Sequence, residues 1–256
     1  LRHAPGEAYD VKGFGASGHT LRPDSPLPYV DSREFAKALG FQPDVAIVML
    51  GTNDSYREED GDDWGAPVRG RVAALVAALR QSSPDVRVLL ASPPEIFPEL
   101  PGLDEERVAN LGQRKPRLEA ISLALSAAAG EMSGVEFVDM GSVLRMRDVT
   151  DGVHPNAFGA ERIAYRLASE ILGATESSTP FDEPSVWPTP SAEYRGQSAG
   201  WGGGTWRTAF QSLQDLEESA RSEPPMHVLF LGDSITQSLT GHGNRFAVPG
   251  GSRAFD

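Results

Sequence analysis

The sequence predicts a doubly wound α/β fold with a mainly parallel sheet of five strands. Short apolar runs alternate with amphipathic helical patterns along the chain, which is typical of this class. The clearest run, residues 44–50, is apolar almost throughout, as in strands buried on both faces of a parallel sheet. Polar clusters containing glycine follow several of these runs. Such positions are where open α/β sheets bind ligands, at the carboxyl ends of their strands.

The individual elements follow from local pattern and from turn residues. The predicted strands cover residues 9–14, 44–50, 86–91, 135–140 and 226–231. Asp31 or Ser32 is expected to cap a first helix, which Gly40 stops. Pro116 is expected to open a later helix that ends near residue 129, because proline suits the first turn. The remaining predicted helices cover residues 68–80, 157–172 and 206–220.

Composition divides the chain into three parts. Residues 1–172 contain most of the alternating pattern and form the predicted core domain. Residues 173–204 are rich in Ser, Thr, Pro and Gly, which indicates a linker or a wrapping segment. Residues 205–256 contribute a helix and the last strand, either to the same sheet or to the start of a second domain of the same kind.

Charge and residue usage exclude several classes of function. A net charge of −13 over 256 residues disfavours nucleic acid and anionic membrane surfaces as partners. The absence of cysteine excludes disulfides and thiolate chemistry, and it leaves a secreted, periplasmic or cytoplasmic location open. The glycine patterns of the Walker and Rossmann phosphate-binding loops are not found between a predicted strand and a predicted helix. The acidic cluster at 58–63 is interpreted as a solvated loop. We therefore expect neither a cofactor nor a metal.

Four polar clusters carry the candidate chemistry. They are Gly15-Ala-Ser-Gly18-His-Thr20, Gly51-Thr-Asn53-Asp54, Asp151-Gly-Val-His154 and Gly232-Asp-Ser234-Ile-Thr236. A serine hydroxyl becomes a useful nucleophile when a base removes its proton, and histidine has a suitable pKa. Asp151 can accept a hydrogen bond from His154 Nδ1 within one loop and so fix its tautomer. Taken alone, each cluster is more often an ordinary turn, cap or structural residue than a catalytic one.

Taken together, the four clusters resemble the sequence blocks of the SGNH (GDSL-type) serine hydrolases. The resemblance covers residues 1–172 and 205–240 and implies a flavodoxin-like, three-layer α/β/α sandwich. It implies a catalytic triad of Ser234, His154 and Asp151. It also implies an oxyanion hole formed by the backbone N–H groups of Ser234 and Gly18 and by the side-chain amide of Asn53. Asp54 and Asp233 are expected to anchor turns.

The order of the blocks departs from the family, in which the serine block comes first. Here Ser234 follows the other three blocks. One interpretation is a circular permutation, in which residues 226–231 complete the sheet of the preceding domain. Chain termini of a domain often lie close together, so such a permutation is tolerated. The alternative is a fragment of two tandem domains, and a third arrangement is a homodimer formed by strand exchange. We favour the single permuted site.

The expected function is hydrolysis of short-chain acyl esters, chiefly acetyl, through an acyl-enzyme, with small molecules or carbohydrates as substrates. A thioesterase or lysophospholipase of the same fold is an alternative, as is a non-catalytic carbohydrate-binding relic. His3, His19, His227 and His242 match no catalytic position. Trp201, Trp206 and the loop 93–97 are expected to pack in the protein rather than to line the substrate pocket.

Overall fold

The computed structural model describes residues 9–57, 64–172 and 226–236. The strands in these ranges are β1 (Tyr9–Gly15), β2 (Val45–Met49), β3 (Arg87–Ala91), β4 (Val135–Val138) and β5 (Met226–Gly232). The α-helices are α1 (Arg33–Phe41), α2 (Gly65–Ser82), α3 (Glu105–Gly130) and α4 (Ala157–Leu172). Three short 3-10 turns cover Tyr29–Asp31, Asp54–Tyr56 and Met146–Asp148.

The strand nearest the carboxyl end lies inside the sheet. The spatial order is β1-β5-β2-β3-β4, and every neighbouring pair is parallel. When β5 is counted first, this order reads 2-1-3-4-5, which is the flavodoxin-like order. The last residues of β5 are in register with both neighbours, since Gly232 is paired with Gly15 on one side and Met49 on the other. The sheet therefore brings the carboxyl ends of β1, β5 and β2 together.

Helices cover both faces of the sheet, as the alternation of buried side chains shows. On one face, Leu229 and Leu231 of β5 join a core that includes side chains of α1, α2 and α3. On the other face, Val228 packs in a core with Ile163 and Leu167 of α4. The predicted three-layer α/β/α sandwich with a parallel five-stranded sheet is confirmed.

The predicted strands agree with the structure to within two residues at each end, and α4 agrees at both ends. For α1, the structure selects Ser32 as the cap, whose side chain accepts a hydrogen bond from the Phe35 amide. The prediction that Gly40 stops this helix was wrong. The helix continues to Phe41, and Gln42 adopts the left-handed conformation with φ 53° that ends it.

The prediction for α3 was wrong at its start. The helix begins after Asp104, whose side chain accepts a hydrogen bond from the Arg107 amide, and Pro116 lies inside it. An internal proline removes one helical hydrogen bond and costs about 3 kcal/mol. Buried side chains before and after the proline offset that cost, because they form one continuous face: Leu111, Leu118, Ile121 and Leu125.

Several predicted features lie outside the described residues. These are the acidic cluster 58–63, the linker 173–204, the helix 206–220, Trp201, Trp206, His3 and His242. The division into core, linker and closing segment therefore stays a prediction. Among the helices that the structure describes, none has the length and apolar character needed to cross a membrane.

We predict that Leu229→Ala in β5 lowers the free energy of unfolding by about 2–5 kcal/mol, the range for a buried leucine in a core. Leu229 is 0% exposed and belongs to the core that includes side chains of α1 and α2. The measurement is denaturant unfolding followed by circular dichroism. Leu123→Ala is the matched control, since Leu123 is 73% exposed and should change stability by less than about 0.5 kcal/mol. Equal effects of the two substitutions would contradict a central position for β5.

Candidate active site

Ser234 stands at the carboxyl end of the central strand. β5 ends at Gly232, and Ser234 opens the helical turn 234–236. Asp233 precedes this turn, and its Oδ1 accepts a hydrogen bond from the Ile235 amide at 2.9 Å, as a helix cap does. A Cβ at position 232 would lie 2.5 Å from the carbonyl oxygen of Met49 and against the side chain of Thr236. Only glycine therefore allows the chain to turn this closely beside β2.

Asp151 and His154 lie in the loop before α4. Asp151 Oδ1 accepts hydrogen bonds from the backbone amides of Val153 at 3.1 Å and His154 at 2.8 Å. Its other oxygen, Oδ2, lies 2.9 Å from His154 Nδ1. On the far side of the imidazole, Nε2 lies 3.1 Å from Ser234 Oγ. The sheet thus brings together three side chains from two distant segments as one chain of hydrogen bonds.

The environment of Asp151 keeps its carboxyl group ionised. Burial alone would raise the pKa of Asp151, but hydrogen bonds from the His154 side chain and from the amides of His154 and Val153 outweigh it. The result is a pKa well below the ordinary value for aspartate. A carboxylate can only accept hydrogen bonds, so His154 Nδ1 carries a proton. In the neutral imidazole, Nε2 is then the acceptor that faces the Ser234 hydroxyl.

Gly18 and Asn53 lie in two loops that are tied to each other. Asn53 Nδ2 donates a hydrogen bond to the His19 carbonyl oxygen at 3.1 Å, which joins the Asn53 loop to the turn that contains Gly18. Gly18 has φ +77°, a conformation that residues with a side chain rarely adopt. The same turn is held to the serine strand, since the Ala16 amide donates to the Gly232 carbonyl at 2.8 Å. Both residues thus lie at the sheet edge that carries Ser234.

Asp54 and Asp233 are buried beside this edge and contact backbone amides. Asp54 Oδ2 accepts a hydrogen bond from the Leu21 amide at 3.0 Å, so Asp54 joins the Asn53 loop to the residues after Gly18. Burial raises the pKa of Asp54 to about 6 and that of Asp233 to about 7. These contacts agree with the expectation that both residues anchor turns.

The other candidate residues of the sequence analysis contact their own surroundings. His19 Nδ1 lies 2.9 Å from the Ser17 carbonyl oxygen, and the side chain of His227 lies outside the described residues. In the loop 93–97, the side chains of Ile96 and Phe97 are buried in apolar clusters, as expected. Ile96 packs with Leu111 of α3 and with Val153, which lies between Asp151 and His154. The loop 93–97 therefore packs against the loop that contains Asp151 and His154.

Two arginines of α3 were missed by the sequence analysis. Arg114 is buried, and it donates to the Thr52 carbonyl at 2.8 Å and to Ser55 Oγ at 3.0 Å, on either side of Asn53. Arg107 contacts Asp151. The prediction that Pro116 opens the helix placed both arginines outside it. The available signal was Asp104 followed by Glu105 and Glu106, which is a capped helix start.

We predict that Asp233→Asn flattens the dependence of stability on pH. The pKa of Asp233 is raised from 3.8 to about 7 in the folded chain, so between these values the folded state binds more protons than the unfolded state. The Asp233 carboxyl group therefore contributes a loss of stability as pH rises from about 4 to about 7, and asparagine removes that contribution, about 2–4 kcal/mol. The measurement is denaturant unfolding at several pH values.

The control for this prediction is Asp85→Asn, which makes the same change at an exposed position. It should leave the curve of stability against pH parallel to that of the wild type. If the curve of Asp233→Asn is also parallel, the Asp233 carboxyl group does not titrate as its burial implies.

Comparison with known proteins identifies the family of this chain. The sequence pattern of the GDSL-like lipase/acylhydrolase family matches residues 1–162, and Ser234 lies beyond the matched region. The chain is 27% identical over 190 residues to an acetylxylan esterase of Xylanibacter ruminicola. That match covers 65% of this chain and 36% of the relative, so the chain spans about a third of the relative's length.

Solved structures with similarity to this chain include two esterases. Est24, a carbohydrate acetylesterase from Sinorhizobium meliloti, has 22% identity and a TM-score of 0.47 over 62% of this chain and 75% of its own. A catalytic mutant of Axe2, an acetylxylan esterase from Geobacillus stearothermophilus, has 18% identity and a TM-score of 0.42 over 60% of this chain and 68% of its own. The family match over residues 1–162 covers more than half of the chain, and the chain therefore belongs to the GDSL-like lipase/acylhydrolase family.

Proposed function

We propose that this chain is a serine esterase that hydrolyses short-chain acyl esters, with acetyl esters of carbohydrates as its main substrates. The observation that carries the proposal is the chain of hydrogen-bond contacts from Ser234 Oγ through His154 to Asp151, at 3.1 and 2.9 Å. The reaction class follows from the family. The acetyl group is suggested by the acetylxylan esterase relative, of which this chain covers only 36%.

The acylation step uses the tautomer that Asp151 imposes. Ser234 Oγ attacks the carbonyl carbon of the ester while its proton passes to His154 Nε2. The imidazole becomes a cation, and the Asp151 carboxylate beside Nδ1 stabilises it. When the tetrahedral intermediate collapses, the bond to the alcohol oxygen breaks and Nε2 returns the proton to that oxygen. The product alcohol leaves, and the acyl group remains on Ser234.

The oxyanion that forms during attack requires hydrogen-bond donors that are already in place. We assign this role to the amide of Ser234, the amide of Gly18 and the side-chain amide of Asn53. The Ser234 amide belongs to the first residue of a helical turn, where amides have no partner within the helix. Asn53 Nδ2 uses one hydrogen for the His19 carbonyl, which orients the amide and leaves its second hydrogen for substrate.

Deacylation repeats the same proton transfers with water in place of the alcohol. His154 Nε2 takes a proton from water while the water oxygen attacks the acyl carbon. The intermediate collapses with cleavage of the bond from the acyl carbon to Ser234 Oγ, Nε2 returns the proton to Oγ, and the carboxylic acid leaves. Each cycle consumes one ester and one water and requires no cofactor.

We predict that Ser234→Ala abolishes hydrolysis of p-nitrophenyl acetate and that Asn53→Ala lowers kcat about 10²–10³-fold, the usual cost of losing one oxyanion donor. Wild-type kcat/KM should fall as the acyl chain is lengthened from acetyl to decanoyl. An acetyl thioester and a lysophospholipid assayed in parallel test the two alternative substrate classes. If the thioester or the lysophospholipid is hydrolysed faster than p-nitrophenyl acetate, that class replaces acetyl esters as the proposed substrate.

Matched controls separate chemistry from folding. Ser126→Ala and Asn110→Ala make the same substitutions on α3, and both should retain wild-type kcat. A serine-directed organophosphate should label the wild type and not Ser234→Ala. If the folded wild type neither reacts with the reagent nor turns over any ester, the chain is a non-catalytic relic and the proposal fails.

We also propose that one chain completes its own sheet and its own active site. Support comes from the register of β5, which pairs along its full length with β1 and along five residues with β2. A permuted single domain requires this arrangement, whereas a strand-exchanged homodimer would borrow β5 and Ser234 from a second copy.

We predict that Ser234→Ala and His154→Ala proteins do not restore activity when they are unfolded together and refolded as a mixture. In an intramolecular site, each chain lacks one member of its own triad. In a strand-exchanged dimer, half of the sites in a mixed dimer would combine intact His154 with intact Ser234. The measurement is esterase activity of the refolded mixture beside size-exclusion chromatography of the wild type. Recovered activity in a dimer fraction would contradict intramolecular completion.

A further inference from the structure

Arg107 occupies a position that helix electrostatics disfavours. It lies in the first turn of α3, where Asp104 caps the helix and Glu105 and Glu106 follow the normal preference for acidic residues. The amino end of a helix carries partial positive charge, so a cation there is unfavourable. The Arg107 amide is nevertheless held firmly, since it donates to Asp104 Oδ1 at 2.7 Å. The presence of an arginine at this position is therefore not explained by helix stability.

The guanidinium of Arg107 contacts one residue at two points. Its Nε donates a hydrogen bond to the main-chain carbonyl oxygen of Asp151 at 3.2 Å, and its Nη2 donates to Asp151 Oδ2, also at 3.2 Å. A planar, rigid fork that bridges the backbone and the carboxylate of the same residue restricts the side-chain torsions of that residue. Oδ2 is also the oxygen that faces His154 Nδ1.

Within the part of the chain that the structure describes, the carboxylate receives four hydrogen-bond contacts. Oδ1 accepts from the amides of Val153 and His154, and Oδ2 accepts from the His154 ring and from Arg107. Three of these donors belong to the same short loop as Asp151. Arg107 is the one donor in this set that comes from a separate helix, so it fixes the loop relative to the rest of the domain.

We propose that Arg107 is a positioning residue that holds the Asp151 carboxylate in the orientation that His154 requires. This inference rests on the proposed function for its catalytic consequence. The effect of Arg107 on the contact between Asp151 and His154 can be measured without substrate turnover. Arg107 touches neither Ser234 nor the oxyanion donors in any described contact, so its effect on the reaction passes through Asp151.

The charges around the pair determine the sign of the expected effect. Asp151 faces His154 and Arg107, with the Arg114 charge nearby, and the Asp233 carboxyl group acts on His154 from the serine side. The positive charge of Arg107 weakens the hold of the carboxylate on a protonated imidazole. Removing that charge favours the imidazolium, so the protonated ring persists to higher pH. The side chain of Arg107 is 25% exposed, so water and salt screen its charge and limit the shift of the His154 titration.

The test compares Arg107→Gln, Arg107→Lys and the wild type by NMR titration of the His154 ring, with His154→Gln to assign the signal. We expect Arg107→Gln to move the titration midpoint up by about half a pH unit. Arg107→Lys keeps the charge but loses the two-point contact, so its midpoint should fall below that of the wild type, because the carboxylate is held less well against His154 Nδ1. In the ester assay, Arg107→Gln should lower kcat about 10- to 100-fold with KM little changed, because a misplaced base costs rate rather than binding. Arg107→Lys should lose less than Arg107→Gln because it keeps the charge, but it should not reach the wild-type kcat, because a point charge cannot bridge both acceptors.

Arg69→Gln is the control, because Arg69 forms an ion pair with Glu131 on the surface at 3.1 Å and the substitution removes the same charge. It should leave both the midpoint and kcat unchanged. A midpoint of Arg107→Lys equal to those of the wild type and Arg69→Gln would overturn the proposal, whether or not kcat falls, because the positive charge without the two-point contact would then suffice. If the wild type turns over no ester, the proposed function fails while the titration still decides the role of Arg107. If Arg107→Gln does not fold, the His154 midpoint of Arg107→Lys compared with that of the wild type still tests the proposal.

Discussion

The pairing of β5 with strands on both sides is the constraint on which the rest of the structure depends. Ser234 follows this strand directly, and its position relative to Asn53 and Gly18 is set by the register of Gly232 with Met49 and Gly15. A slip of one residue in that register would turn every side chain of β5 to the opposite face of the sheet. The same alternation buries Leu229 and Leu231 on one side and Val228 on the other. Core packing therefore fixes the register, and the register places the serine.

A second constraint is electrostatic, and it distinguishes three carboxyl groups that lie near the same sheet edge. Asp151 receives hydrogen bonds on both oxygens, and these keep its pKa low despite partial burial. Asp233 and Asp54 each accept a hydrogen bond from a backbone amide, which lowers their pKa. Burial has the larger effect and raises the pKa of both. A neutral Asp233 carboxyl group still accepts a hydrogen bond from the Ile235 amide and adds little negative charge beside Ser234. Asp151 is the carboxylate best placed to stabilise an imidazolium, as the proposed mechanism requires.

The sequence predicted the strands and the polar clusters because both signals are local. An apolar run bounded by glycine identifies β5, and a cluster such as Gly-Thr-Asn-Asp keeps its meaning wherever the chain carries it. Two local signals compete for the start of α3, the capped start at Asp104 and the proline at Pro116, and the sequence alone does not decide between them. The rule that proline opens helices is local, whereas the burial of Leu111 and Leu118 on one face across Pro116 depends on packing against other elements. Arg107 and Arg114 were missed for this reason, since their partners lie about 40 to 60 residues away in sequence.

The length of α3 across its proline has a mechanical consequence. Arg107 lies before Pro116 in the first turn and contacts the Asp151 loop, while Arg114 lies two turns later and contacts the Asn53 loop. Had the helix begun at Pro116, both arginines would stand on a loop, and loops are more mobile than the helices and strands that they connect. In the observed fold, one helix contacts the loop of the proposed base and the loop of the proposed oxyanion donor. Their separation is then set by the fixed rise of an α-helix, and the packing of Leu111 and Ile121 holds that helix against the domain. The buried face of α3 offsets the cost of the internal proline, and the continuous helix that results supports both loops.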